Sequence, residues 1–182
     1  MTKSAIDTAQ AWQKRAEKKT RQITIHYTGA SGKEFRSWLG DNLDYQEQPA
    51  GDLGRRMGYA FETTLNSGSH HAIGIGTDTP TLSAALLHQA DKNLNDHDLV
   101  LGPAADGGYY LIGMKKFQPE LFTNIDWGTE YVLRQTLEIA SRLKLQVATL
   151  PQLNDIDRPE DLHFIRDDSR FNNIISGTPS EN

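Results

Sequence analysis

The sequence contains no cysteine, which excludes disulfides, thiolate metal ligands and a cysteine nucleophile. No apolar run is long enough to span a bilayer, and the first residues lack the apolar core of a signal peptide. Basic runs are short and the net charge is -5, so we expect no nucleic acid as the main partner. These absences favour a cytoplasmic protein without a membrane span.

The residues that are present suit one globular domain. Hydrophobic residues make up 37% of the 182 positions and charged residues 24%, which argues against wholesale disorder. We predict a single domain over residues 1–166, followed by a polar tail over residues 167–182 that is rich in breakers and partly loose.

Apolar patterns of two periods alternate along the chain. Strands are predicted at 22–28, 72–77, 98–103, 109–114 and 145–150. Apolar faces at helical spacing lie among them, at Ile6, Ala9, Trp12 and Ala16, at Leu53, Met57, Phe61 and Leu65, and at Leu133, Leu137 and Ala140. This alternation predicts an α/β fold of three layers, α/β/α, around a mostly parallel twisted sheet. The strands at 98–103 and 109–114 are too close for a helical crossover, so one of them runs antiparallel or sits apart.

Acidic residues follow three of the predicted strands. Asp78 follows the strand at 72–77, Asp106 follows the strand at 98–103, and Asp155 and Asp157 follow the last strand. Ligands of open α/β sheets bind at the carboxyl ends of the strands. Carboxylates gathered there could hold Mg or Mn, which would neutralise a diphosphate.

Each of these residues also has a purely structural interpretation. Asp78 could cap a helix that starts near Thr81, and Asp155 or Asp157 could cap a helix that starts near Pro159. The Asp-Gly-Gly sequence at 106–108 could be an ordinary hairpin turn. The segment GIGTDTP is a poor dinucleotide fingerprint, because its third glycine is missing.

Four segments carry a resemblance to a known family: IGTDTP, LGPAADGGYYLIGM, WGTEYVL and DIDRPEDL, in this order and spacing. They resemble an uncharacterised bacterial family of short proteins that are often labelled glycosyltransferases, and the segment at 27–61 fits the same family. The family resembles the nucleotide-diphospho-sugar transferase fold (GT-A-like), whose members include the guanylyltransferases of molybdenum-cofactor and phospholactate metabolism.

The resemblance implies roles for particular residues. The implied metal ligands are Asp78 and Asp157, with Asp155 as a helper, and the implied cofactor is Mg or Mn. Nucleotide binding is implied for Gly51, Gly54, Arg56, Gly76 and Thr77. The acceptor side is implied to comprise Gly107, Gly108, Tyr109, Trp127, Gly128 and Thr129. Asp106 would act as the catalytic base or orient the acceptor.

The sequence departs from the family at its start, since the usual first strand and its basic phosphate loop are missing. We expect the neighbouring strands either to close onto each other or to pair with a second chain in a homo-oligomer, and transferase activity to be low. The function implied is a metal-dependent transferase that moves a glycosyl or nucleotidyl group from a nucleotide or nucleotide sugar to an unknown acceptor. The alternatives are an inactive relative that serves as a nucleotide-binding or interaction module, and a metal-dependent phosphohydrolase.

Overall fold

A computed structural model of the protein describes residues 2–15 and 21–154. Helices and strands alternate along these residues, as predicted. In chain order they are α1 (Thr2–Lys14), β1 (Thr24–Tyr27), α2 (Gly32–Leu39), β2 (Asp44–Glu47), α3 (Leu53–Asn66), β3 (Ala72–Ile75), α4 (Ala84–Asn93), β4 (Leu99–Pro103), β5 (Tyr109–Met114), a 3₁₀ helix (Pro119–Phe122), α5 (Val132–Arg142) and β6 (Val147–Thr149).

The main sheet has four strands in the order β3-β5-β4-β6. Strand β5 is antiparallel to both β3 and β4, whereas β4 and β6 are parallel. Strands β3, β4 and β6 therefore share one direction and only β5 opposes them. The prediction that one strand of the closely connected pair runs antiparallel is confirmed.

A β-bulge lies at the start of β5. Pro103 pairs with Tyr109, but the preceding Gly102 pairs with Leu111, which leaves Tyr110 as the extra residue. A bulge reorients the side chains that flank it. Tyr109 consequently packs on one face of the sheet, while Tyr110 and Leu111 both pack on the other.

Helices cover both faces of the main sheet. Phe61 of α3, Phe122 of the 3₁₀ helix and Ile139 of α5 are buried against one face. Ala9 of α1 and Leu87 of α4 are buried against the opposite face. The three-layer architecture is therefore present in the described part of the chain. Within that part, the helices are too short or too polar to cross a membrane.

A second, two-stranded parallel sheet consists of β1 and β2. The apolar patterns did not predict β2 or α2, because β2 has the polar sequence DYQE and α2 buries none of its residues. A local signal for α2 was present, since Ser31 and Glu34 form a capping box at its start. Within the described residues β1 pairs only with β2, and β3 pairs only with β5.

Several predicted details need correction. Leu53 and Leu137, assigned to apolar helix faces, are 47% and 38% exposed. Helix α4 begins at Ala84 rather than near Thr81, and its N-cap is Ser83. Ala16 and the residues from Asp155 onward, including the predicted domain boundary at 166, lie outside the described residues.

Candidate functional site

The segments that follow β3, β4 and β6 leave the main sheet at the same end of the strands. Because these strands share a direction, their carboxyl ends meet there. The Gly76 amide donates to the Tyr110 carbonyl at 3.0 Å, and the Ala105 amide donates to the Leu153 carbonyl at 2.9 Å. We call this part of the sheet the carboxyl end. Asp155 and Asp157 lie outside the described residues.

Asp78 lies at the carboxyl end of the sheet, three residues beyond β3. It does not cap α4, so the capping interpretation is wrong. Its carboxylate is exposed and accepts a hydrogen bond of 3.2 Å from the Thr77 hydroxyl. An exposed carboxylate pays no burial penalty, and the second carboxylate oxygen makes no hydrogen bond to the described residues.

Asp106, Gly107 and Gly108 form the turn between β4 and β5, as the hairpin interpretation predicted. The Gly108 amide donates to Asp106 Oδ1 at 2.8 Å, and the Gly107 carbonyl accepts from the Leu133 amide at 2.9 Å. Gly107 has a φ of +91°, and a Cβ there would lie 2.3 Å from the Glu130 carbonyl oxygen. Only glycine fits this position, which joins the turn to the start of α5.

Trp127 connects two of the predicted groups of residues. A Cβ on Gly54, in the first turn of α3, would lie 2.5 Å from Trp127 Nε1. The Tyr109 ring lies 6.4 Å from the Trp127 ring, edge to face. The half-buried indole therefore lies between Gly54, assigned to the nucleotide side, and Tyr109, assigned to the acceptor side.

The neighbours of Trp127 are less enclosed. Gly128 has a φ of +80° and open space around it. The exposed Thr129 donates through its hydroxyl to the Asp126 carbonyl at 2.7 Å. Asp126, at the start of this segment, is hydrogen-bonded to Gln135, a residue that the sequence analysis did not single out.

The loop before α3 brings the other predicted nucleotide residues to the start of that helix. Asp52, which the sequence analysis missed, caps α3 by accepting from the Arg55 amide at 2.8 Å. Gly51 has a φ of +136° and packs against the Arg55 side chain. Arg56 Nε is buried and has no hydrogen-bond partner among the described residues, although its guanidinium could reach an anion.

The tyrosines of the bulge are not exposed groups. Burial raises the pKa of the Tyr109 phenol well above its usual range, and burial raises the pKa of Tyr110 to about 12. The Tyr110 hydroxyl donates to the Pro151 carbonyl at 3.0 Å. Neither phenol is ionised near neutral pH, and Tyr109 contributes its ring rather than its hydroxyl to the surface beside Trp127.

The described residues contain no group of three or more acidic, histidine or cysteine side chains that could hold a metal ion. Asp78 alone supplies a carboxylate from β3, and its implied partner Asp157 lies outside the described residues. Oxygen ligands of this kind suit a hard cation such as Mg or Mn.

Comparisons with known proteins agree with this architecture. A model of the family described as "Uncharacterized protein conserved in bacteria (DUF2064)" matches residues 11–129. A protein of Desulfovibrio desulfuricans G20, provisionally described as a nucleotide-diphospho-sugar transferase, is 29% identical in sequence and has a TM-score of 0.81. The match covers 94% of this chain and 77% of that one. No curated protein matches the sequence.

Proposed function

Because this chain belongs to the bacterial family DUF2064 and has the nucleotide-diphospho-sugar transferase fold, we propose that it is a metal-dependent transferase. It takes a glycosyl or nucleotidyl group from an activated nucleotide donor and passes it to an acceptor. The observation that supports the proposal is that Trp127 lies beside both Gly54 and Tyr109, one residue from each of the groups assigned to the nucleotide and to the acceptor.

Anionic phosphate groups of the donor find few fixed charges here. The Arg56 guanidinium is available, because no carboxylate among the described residues pairs with it. Gly51 and Gly76 carry no Cβ, which would allow a ligand to approach their backbone closely. Asp78 would hold Mg or Mn, with Asp157 as the second ligand, and the ion would neutralise phosphate charge.

Asp106 is the candidate base for the acceptor. Its Oδ1 atom is held by the Gly108 amide, which fixes the carboxylate at the turn and leaves Oδ2 for a hydroxyl. In the transfer step the acceptor hydroxyl would give its proton to this carboxylate. In glycosyl transfer, its oxygen would bond to the anomeric carbon as the bond from that carbon to the nucleoside diphosphate breaks. In nucleotidyl transfer, its oxygen would bond to the α-phosphorus as the bond to pyrophosphate breaks. The exposed Gly128 and Thr129 would line the acceptor side.

Calorimetry with ADP, GDP and UDP, each with and without Mn, tests the proposal. Asp78→Asn should weaken Mn-dependent binding by roughly tenfold, about the contribution of one charged contact. Its unfolding temperature should hardly change, because the carboxylate is exposed. Asp96→Asn is the matched control, since Asp96 is an exposed residue just before β4, at the amino end of that strand.

Equal affinity with and without Mn in the parent protein would contradict the metal assignment. Absence of nucleotide binding both with and without Mn would favour an inactive relative that serves as an interaction module. Release of inorganic phosphate without an acceptor would instead indicate the phosphohydrolase.

A further inference from the structure

Residues 126–131, which we call the Trp127 loop, lead directly into α5, and the Gln135 side chain of that helix binds Asp126 at the start of the loop. The Asp126 amide donates to Gln135 Oε1 at 2.8 Å, and Gln135 Nε2 donates to Asp126 Oδ2 at 2.7 Å. The Gln135 amide thus donates to and accepts from the same residue. Two short hydrogen bonds fix the orientation of Asp126 as well as its position.

Further hydrogen bonds hold the backbone of the loop around Asp126 and Trp127. The Thr129 hydroxyl donates to the Asp126 carbonyl at 2.7 Å, and the Trp127 amide donates to the Ile125 carbonyl at 2.9 Å. The Trp127 side chain then lies beside Gly54 and Tyr109. Gln135 is therefore joined to Asp126 by two hydrogen bonds, and Asp126 is joined to Trp127 by a peptide bond.

Stability alone does not require this arrangement. Asp126 is exposed, so water could satisfy its carboxylate, and each hydrogen bond adds only about 1 kcal/mol to folding. Displacing an aromatic side chain that borders both sides of a site should, in contrast, change the position of a bound ligand and weaken its binding.

We infer that Gln135 is a positioning residue, which acts through Asp126 to hold Trp127 between the nucleotide side and the acceptor side. The inference rests on the proposed function. Among the described residues the Gln135 side chain forms hydrogen bonds only with Asp126, so its effect on a ligand passes through the Trp127 loop.

The test uses a protein in which Trp127 is the single tryptophan, made by Trp12→Phe and Trp38→Phe. In this background Gln135→Glu places a carboxylate against the Asp126 carboxylate and removes the side-chain donor. The double variant D126N/Q135E restores both hydrogen bonds: the backbone amide of residue 126 still donates to the side chain of residue 135, and the bond between the two side chains forms with its direction reversed. We expect Q135E to raise acrylamide quenching of Trp127 about twofold and to weaken binding of UDP with Mn about tenfold. D126N/Q135E should restore both values.

Glu138→Gln is the control, because Glu138 is an exposed residue on the same helix and its carboxylate contacts only Arg134 among the described residues. It should change neither value. Unchanged quenching in Q135E would overturn the inference, as would increased quenching with unchanged nucleotide affinity, which indicates a purely structural role.

Two further outcomes are decisive. Failure of D126N/Q135E to restore quenching would also overturn the inference. If the parent binds none of the nucleotides that calorimetry tests, the proposed function and the positioning role fail, and the quenching series still measures the hydrogen-bond pair.

Discussion

Gly54 and Gly58 lie one turn apart on α3 but have different surroundings. A Cβ on Gly54 would lie 2.3 Å from the Phe122 carbonyl oxygen and 2.5 Å from Trp127 Nε1. A backbone carbonyl cannot move aside as a flexible side chain can. Gly54→Ala should therefore destabilise the protein by about 1–3 kcal/mol, the usual cost of overpacking, and displace Trp127. Urea denaturation measures the change in free energy of unfolding.

Gly58→Ala is the matched control. A Cβ on Gly58 would lie 3.5 Å from the Phe122 side chain, an ordinary contact distance. Since alanine favours a helix interior by about 1 kcal/mol over glycine, Gly58→Ala should leave stability unchanged or increase it. Similar destabilisation by both substitutions would contradict the prediction that the Phe122 carbonyl and Trp127 leave no room for a Cβ at position 54.

At this scale the sequence indicates which residues are unusual but not what they contact. Gly54 was assigned to nucleotide binding, and its closest neighbours prove to be residues of the distant segment that contains Phe122 and Trp127. Periodicity describes one element at a time, so it cannot reveal such a contact. The role of Asp78 as an exposed carboxylate, rather than a cap, depended similarly on where α4 begins.

The helices and strands are linked by a cluster around Asp91 of α4. Arg21 Nη2 lies 2.9 Å from Asp91 Oδ2, and His71 Nδ1 lies 3.1 Å from Asp91 Oδ1. Arg21 also donates to the Trp12 carbonyl and stacks on the Trp12 ring at 4.3 Å. One carboxylate therefore joins α4 to the end of α1 and to the segments that lead into β1 and β3.

Breaking this cluster should separate the two sheets more easily. Its side chains are only 13–27% exposed, so removing one partner leaves a poorly solvated charge. We expect Arg21→Ala to lower the free energy of unfolding by about 2 kcal/mol. Arg134→Ala is the control, because Arg134 and Glu138 are 67% and 64% exposed and such pairs contribute about 0–1 kcal/mol. Thermal and urea unfolding measure the loss of stability in each variant, and an equal loss of unfolding free energy in both would contradict the prediction.

The elements found from sequence were those with enough apolar residues to show a period. Strands β3, β4 and β5 and helices α3 and α5 are examples, because they pack against the buried core. Strand β2 and helix α2 were missed, since they bury little and their apolar residues, such as Trp38 at 53% exposure, do not mark a core face. Layer order followed from the alternation of elements, but the bulge at Tyr110 had no signal in the sequence.

On the scale of the molecule, the described residues form two sheets rather than one. Within residues 2–15 and 21–154, β1 is paired on one side only, by β2, and β3 is paired on one side only, by β5, so each has a free edge there. Unpaired edges expose backbone donors and acceptors to other chains.

The free edge of β3 should therefore mediate self-association. The Gly76 amide donates to Tyr110 of β5. Because alternate residues of a strand point their amides to opposite sides, the Ile75 amide faces the free edge. Ile75→Pro removes that donor without removing a hydrogen bond between β3 and β5.

We expect the parent to form dimers with a dissociation constant between about 1 and 100 µM, and Ile75→Pro to weaken the dimer at least tenfold in sedimentation velocity. Ile75→Ala is the control, because it removes most of the side chain, which packs against the core, but keeps the amide. Equal loss of association in both variants would assign the effect to the side chain, and a parent that stays monomeric across this range would contradict edge pairing altogether.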